Sequence, residues 1–303
     1  MATLREMVGG KSQTSKSYMV MFNMLNRLFG NNWLQKLKTN PRKIIHDIEE
    51  FYNNKNTLKS YFSRIIGFLK ELKSGGDNVK MSVINEYEKV MLDYNQILND
   101  EREKNIKSNK EASKWISWDK ILKLRDKLGS KANTKEKFQD YLILSLFTML
   151  PPSRNDYATF LFKNKFSPKL LNENKNYIVL DKPDNSEFIY NQFKTAKSHG
   201  SLQIVIPKKL YNILKEWFTK YNTERKYLLL NARGEPMTRK ILSSRVTKIF
   251  KNNTGRDLNV NTLRHIFISS FLNNKNISYK QRKQIADLMM HSVNEQLLYT
   301  KFD

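Results

Sequence analysis

Six side chains in this sequence have types and an order that suit work on a phosphodiester: Arg154, Lys194, Asn261, Arg264, His291 and Tyr299. The dense part is C-terminal, where Asn261-Thr262-Leu263-Arg264-His265 is followed by His291 and then Tyr299. Arg154 sits in Pro151-Pro152-Ser153-Arg154-Asn155-Asp156-Tyr157, just past a Pro-Pro break that stops a helix and fixes the turn after it. Asp156 is placed to aim that arginine, whose guanidinium can fork onto two phosphate oxygens. Lys194 falls between two β-prone runs, on a turn from which it can reach a groove and hand a proton to a leaving oxygen. Lys197 competes with it. Taken together, the set reads as metal-free chemistry for breaking and rejoining strands of a phosphodiester polymer.

The elements that must hold these groups can be read from periodicity. Asn261 and Arg264 are three apart on an expected helix over 260–273 and so share a face. Ile266, Ile268 and Phe271 bury that helix, so a charged Arg264 needs an anionic partner, either an internal carboxylate or a bound phosphate. His265 lies one step around and is expected to face elsewhere in a structural role. Ser292-Val293-Asn294-Glu295 has the form of a capping box, which starts a helix at Ser292 with His291 at its entrance and Tyr299 two turns in.

Upstream, apolar residues recur at helical steps in Tyr18, Met21, Phe22, Leu25, Leu28, Phe29 and in Leu58, Tyr61, Phe62, Ile65, Phe68, Leu69, Leu72. Ser15 or Ser17 is expected to open the first helix, and Pro41 to stand at the first position of another after Asn40. Lys59, Arg64, Lys70 and Lys73 form either a solvated face or a phosphate-tracking one. A charged stretch over 99–113 reads as a linker between a helical domain at 1–98 and a second domain at 114–303. In that second domain Ser117 caps a helix, and an apolar helix runs from Phe138 to Met149. The runs 177–180, 187–190 and 202–206 predict a small antiparallel sheet. Further helices are expected over 208–221, 238–252, 278–290 and 292–302. The fold class is mainly α, of the α+β kind.

Composition narrows the partner. The 303 residues hold 54 Lys+Arg against 29 Asp+Glu, a formal net charge of +25. Such an excess argues for a polyanion partner, although codon bias toward Lys, Asn and Ile in an AT-rich genome would raise it too. Cysteine is absent and the four histidines show no metal-ligand spacing. There is no membrane-span-length apolar stretch and no signal-peptide core at the N-terminus, so the expected location is intracellular, in cytoplasm or nucleus.

On these residues the chain resembles the tyrosine recombinase, or phage-type integrase, family. Arg154 matches the family's first arginine, Lys194 its β-hairpin lysine and Asn261-x-x-Arg264 the box normally written His-x-x-Arg. Met289-Met290-His291-Ser292 and Tyr299 match its last box and nucleophile, and the run from Asn56 resembles its helical core-binding domain. The Pro-Pro-x-Arg-Asn-Asp-Tyr wording resembles the branch in large DNA viruses and mobile elements. The resemblance implies a helical core-binding domain followed by a mostly helical catalytic domain. It implies site-specific recombination or integration of double-stranded DNA, with self-association into a tetramer on DNA and no metal, ATP or other cofactor. Tyr299 would attack the scissile phosphate to form a 3′-phosphotyrosyl link and expel a 5′-hydroxyl. Arg154, Arg264 and His291 would stabilise the transition-state charge, and Lys194 would protonate the leaving oxygen.

Three features depart from the family pattern. Asn261 replaces the usual histidine and cannot take a proton. Asp156 follows Arg154 by two residues where three is usual. The sequence ends four residues after Tyr299, leaving no room for the further helix that many relatives dock on a neighbour. A type IB topoisomerase carries a similar residue set and is the nearest alternative; a DNA-binding protein that has lost catalysis is the other.

Overall fold

The computed structural model describes residues 13–196, 200–273 and 277–301; Lys197 lies outside them. The chain divides into two compact units between Lys104 and Asn105. The first is helical: Gln13–Phe29, Trp33–Thr39, Pro41–Phe51, Lys55–Ser74 and Met81–Glu103. Pro41 stands at the first helical position as expected, whereas Ser15 and Ser17 lie within the helix Gln13–Phe29 and do not open it. The Asn54 side chain caps Lys55–Ser74 by accepting from the Thr57 N–H at 3.0 Å. The periodic positions Phe62, Ile65, Phe68 and Leu69 are fully buried, each contributing about 1.5–3 kcal/mol over an exposed position.

The basic residues of that helix have internal partners. Lys59 bonds Asn95, Lys70 pairs with Glu88 at 2.6 Å, Lys73 donates to the Val79 carbonyl at 3.1 Å, and Arg64 lies over the Tyr61 ring. Lys59 and Lys70 thereby brace the packing of Lys55–Ser74 on Met81–Glu103. The segment 99–113 is helical as far as Glu103, and Ser108 and Glu111 form a complete capping box on the short helix Asn109–Ala112.

The second unit builds its core around the helix Lys135–Thr148, which buries residues on all sides. Its one buried amide is satisfied: Gln139 donates to the Leu230 carbonyl at 2.9 Å and accepts from the Leu230 N–H at 2.8 Å. The sheet has four strands, β1 (Phe160–Lys163), β2 (Asn176–Val179), β3 (Glu187–Tyr190) and β4 (Leu202–Val205), in the order β1-β2-β3-β4. The three expected strands pair antiparallel, with Ile178 opposite Phe188 and Phe188 opposite Ile204. The sheet as a whole is mixed, because β1 joins β2 in parallel. Both faces are covered: Ile178, Phe188 and Ile204 enter the main core, and Tyr177, Val179 and Ile189 pack with Leu170.

Ser117 caps Trp118–Ser130 as expected. The later helices are Lys208–Glu216, continued by a π-helical turn Trp217–Tyr221, then Arg239–Thr254, Val260–Leu272, Tyr279–Leu288 and Val293–Tyr299. No helix among the described residues is long and apolar enough to cross a membrane.

Candidate active site

Arg264 is the centre of the arrangement. It is 1% exposed, on the helix Val260–Leu272, which Asn259 caps by accepting from the Thr262 N–H at 3.0 Å. Its Nη1 donates to the Pro152 carbonyl at 2.6 Å and its Nη2 to the Met289 carbonyl at 3.4 Å. The Pro-Pro break thus offers a carbonyl that helix hydrogen bonding would otherwise consume. No carboxylate pairs with Arg264 among the described residues, and its buried Nε has no partner. Burial pushes its pKa down, the Tyr299 phenol opposes that shift and Arg154 adds to it. A buried guanidinium held by two neutral carbonyls remains short of negative charge.

Tyr299 ends the helix Val293–Tyr299, whose N-cap Ser292 accepts from the Glu295 N–H at 3.1 Å. The return bond from Glu295 that would complete the box is not made, so the cap is half of the expected one. Tyr299 is 8% exposed. The Arg264 guanidinium carbon stands 5.2 Å from its ring centre, and the His291 ring meets it edge-on at 5.3 Å. His265 does not face elsewhere: its ring stacks on Tyr299 at 4.5 Å and its Nδ1 bonds the Tyr299 carbonyl at 2.8 Å. Beyond it the Lys301 N–H donates to Ser269 at 2.8 Å. The tyrosine is therefore fixed through ring and backbone to the helix that carries Arg264.

His291 is buried, and neither of its ring nitrogens has a hydrogen-bond partner. Desolvation, with the Arg264 and Arg154 charges, lowers its pKa to about 3. At neutral pH the imidazole is uncharged, with one nitrogen free to accept and the other to donate. The residue before it, Met290, has φ of 59°, a left-handed conformation that costs a bulky side chain energy and turns the chain sharply into the site.

The Lys194 loop is tied in at two points. At its start, buried Asn176 accepts from the Asn191 and Gln192 N–H groups at 2.9 and 2.7 Å and donates to the Gln192 carbonyl at 3.0 Å. Next to Lys194, the Thr195 hydroxyl donates to the Met290 carbonyl at 3.2 Å, bringing the loop beside His291. Lys194 itself is exposed. With Arg154, Asn155, Asp156, Gln192, Phe193 and Arg239 it lines an open cleft of about 400 Å³.

Asp156 does not aim Arg154. It is 3% exposed, and its Oδ1 accepts from Arg239 Nε at 3.1 Å and Nη2 at 2.8 Å. Burial raises its pKa against Arg239, Arg154 and Arg264. Arg239 was not singled out from sequence; the only local signal is its position directly after the capping Thr238. Asn261 stands apart from the cluster. It is exposed while Arg264 is buried, and its side chain makes no hydrogen bond among the described residues. At the second helical residue the three-residue spacing sets it near Arg264 along the axis but outside the packed face. No group of three or more metal-ligating side chains occurs among the described residues.

Residues 170–296 match the model of the phage integrase family. Two solved structures are similar across the whole length of the chain. The crystal structure of XerA recombinase is 14% identical with a TM-score of 0.44, covering 100% of this chain and 92% of that one. A pre-cleavage complex of the XerH site-specific recombinase with its difH substrate is 15% identical with a TM-score of 0.48, covering 100% and 90%. No curated protein matches the chain.

Proposed function

We propose that this chain, which carries a phage integrase family domain over residues 170–296, is a site-specific DNA recombinase of the tyrosine type. The observation that carries the reading is the convergence on one phenol of a buried guanidinium with an unpartnered Nε and a buried imidazole with two unpartnered nitrogens. Groups left unsatisfied at such cost lack an anion, and a scissile phosphate supplies one.

In the proposed reaction Tyr299 Oη attacks phosphorus, the tyrosyl–phosphate bond forms on the 3′ side, and the bond to the 5′ oxygen breaks. The phenolic proton goes to neutral His291, which as an imidazolium then faces the charged phosphorane. That role falls to His291 because Asn261 cannot accept a proton. Arg264 and Arg154 hold the non-bridging oxygens, and Lys194 protonates the departing 5′ oxygen. The phosphodiester energy stays in the tyrosyl link, so rejoining by the 5′-hydroxyl needs no ATP. Assembly of four protomers on double-stranded DNA, a viral or mobile-element source, and a division into a core-binding domain at 1–98, a linker at 99–113 and a catalytic domain at 114–303 belong to the same proposal.

The test is a nicked duplex that loses its 5′-hydroxyl fragment after cleavage, selected from a randomised pool for an SDS-resistant protein adduct. Wild type is expected to form the adduct and Tyr299→Phe to form none. No adduct from any sequence removes the enzymatic reading and leaves a DNA-binding protein. An adduct with Tyr299→Phe moves the nucleophile elsewhere. Relaxation of supercoils by an isolated protomer would favour the type IB topoisomerase reading instead.

A further inference from the structure

Among the described residues lining the cleft, Arg239 is the cation to which the reaction above gives no task. It is the first residue of the helix Arg239–Thr254, where the helix dipole is positive and the first turn holds no acidic side chain. A cation there is unfavourable unless anions offset it. Asp156 offsets it in part: Nε and Nη2 are committed to Asp156 Oδ1, and Nη2 also donates to the Gln192 carbonyl at 3.2 Å. Nη1 makes no hydrogen bond among the described residues, and half the side chain, 51%, remains exposed. Around it stand Arg154 and Lys194, so among the described residues three cations face one carboxylate in an open cleft.

We propose that Arg239 is a DNA-contacting residue, its Nη1 taking a backbone phosphate that flanks the scissile one. The contacts already made set its aim. Asp156 lies two residues from Arg154, and Gln192 lies two residues from Lys194. The guanidinium is thereby held at a fixed offset from both groups that would address the scissile phosphate. A guanidinium suits this because its planar fork can keep two donors on protein oxygens while presenting a third to phosphate, which an ammonium does with less direction. The contact fixes DNA register and reads no base.

This inference rests on the recombinase reading, and its test separates the two. On a selected nicked duplex, single neutral methylphosphonates replace each phosphate flanking the scissile one in turn, and single-turnover adduct formation is measured for wild type, Arg239→Lys and Arg239→Ala. Removing Arg239 leaves Asp156 buried without its partner, so the neutral pair Asp156→Asn/Arg239→Gln is measured alongside. Arg239→Ala and the neutral pair are expected to form adduct about 10- to 100-fold more slowly, the worth of one charge-assisted hydrogen bond. Arg239→Lys is expected to recover part of the loss. At one flanking position the methylphosphonate should slow wild type but not slow the neutral pair further. Losses that multiply at every position overturn the assignment while the wild-type adduct keeps the recombinase reading intact. An unchanged rate for the neutral pair overturns it too. No wild-type adduct on any duplex removes both.

Discussion

Lowering the pH from 7 to 5 should destabilise this protein through His291, by an amount the structure sets. Burial and two nearby guanidinium groups hold the imidazole at a pKa of about 3 in the folded chain, against about 6.5 when unfolded. Between these values the unfolded state binds a proton that the folded state refuses, so stability is complete above the unfolded value and falls as pH falls. With 1.36 kcal/mol per pH unit, the loss from pH 7 to pH 5 is about 2 kcal/mol, approaching a limit of about 5 kcal/mol below pH 3. The assay is urea unfolding at pH 7, 6 and 5 for wild type and His291→Gln. The difference between the two isolates this residue from His265, whose pKa is also lowered by burial. The variant is expected to lose about 2 kcal/mol less than wild type over that range. Parallel pH dependences would show that His291 does not titrate as a buried neutral group, and the account of its environment would fall with that result. Cognate DNA should shrink the wild-type slope, because a phosphate beside His291 favours its charged form.

Three further expectations concern the site and the charge. Arg264→Ala should slow adduct formation by at least the hundred- to thousandfold typical of losing one oxyanion donor, about 3–4 kcal/mol; a rate near wild type would remove Arg264 from the transition state. Asn261→His should keep adduct formation within about threefold of wild type, since the side chain is exposed and unbonded; a loss beyond the tenfold that 1.4 kcal/mol represents would give Asn261 a direct role. With an excess of positive charge of 25, DNA affinity in gel-shift titrations should fall steeply from 50 to 200 mM salt, about 0.9 log unit per tenfold in salt for each phosphate neutralised. A flat response would point away from DNA.

The helices and three of the strands were legible because their signals are local. Tyr61, Phe62, Ile65, Phe68 and Leu69 repeat at helical steps, and Ser117 announces a cap. β1, Phe160-Leu161-Phe162-Lys163, is as long as the strands that were legible, but it joins β2 in parallel across an intervening turn, a pairing with no local sequence signal. Arg154, Lys194, Arg264, His291 and Tyr299 could be proposed as site residues from type and order along the chain. What that order conceals is pairing at a distance. Asp156 looked bound for Arg154 two residues away, yet it meets Arg239 across 83 positions. His265 looked turned outward because helical spacing says nothing of the segment after Tyr299 folding back onto that face.

The bond from Arg264 to the Pro152 carbonyl spans 112 positions of sequence, and that span has a consequence during synthesis. A ribosome adding roughly 5–20 residues per second leaves the Arg154 turn waiting several seconds before its buried partner arrives. Tyr299 comes last of all. On the proposed assignment, a chain not yet made as far as Tyr299 carries the cations of the cleft without the proposed nucleophile. By the order of its residues, the proposed recombinase would acquire its grip on DNA before its means of cleaving it.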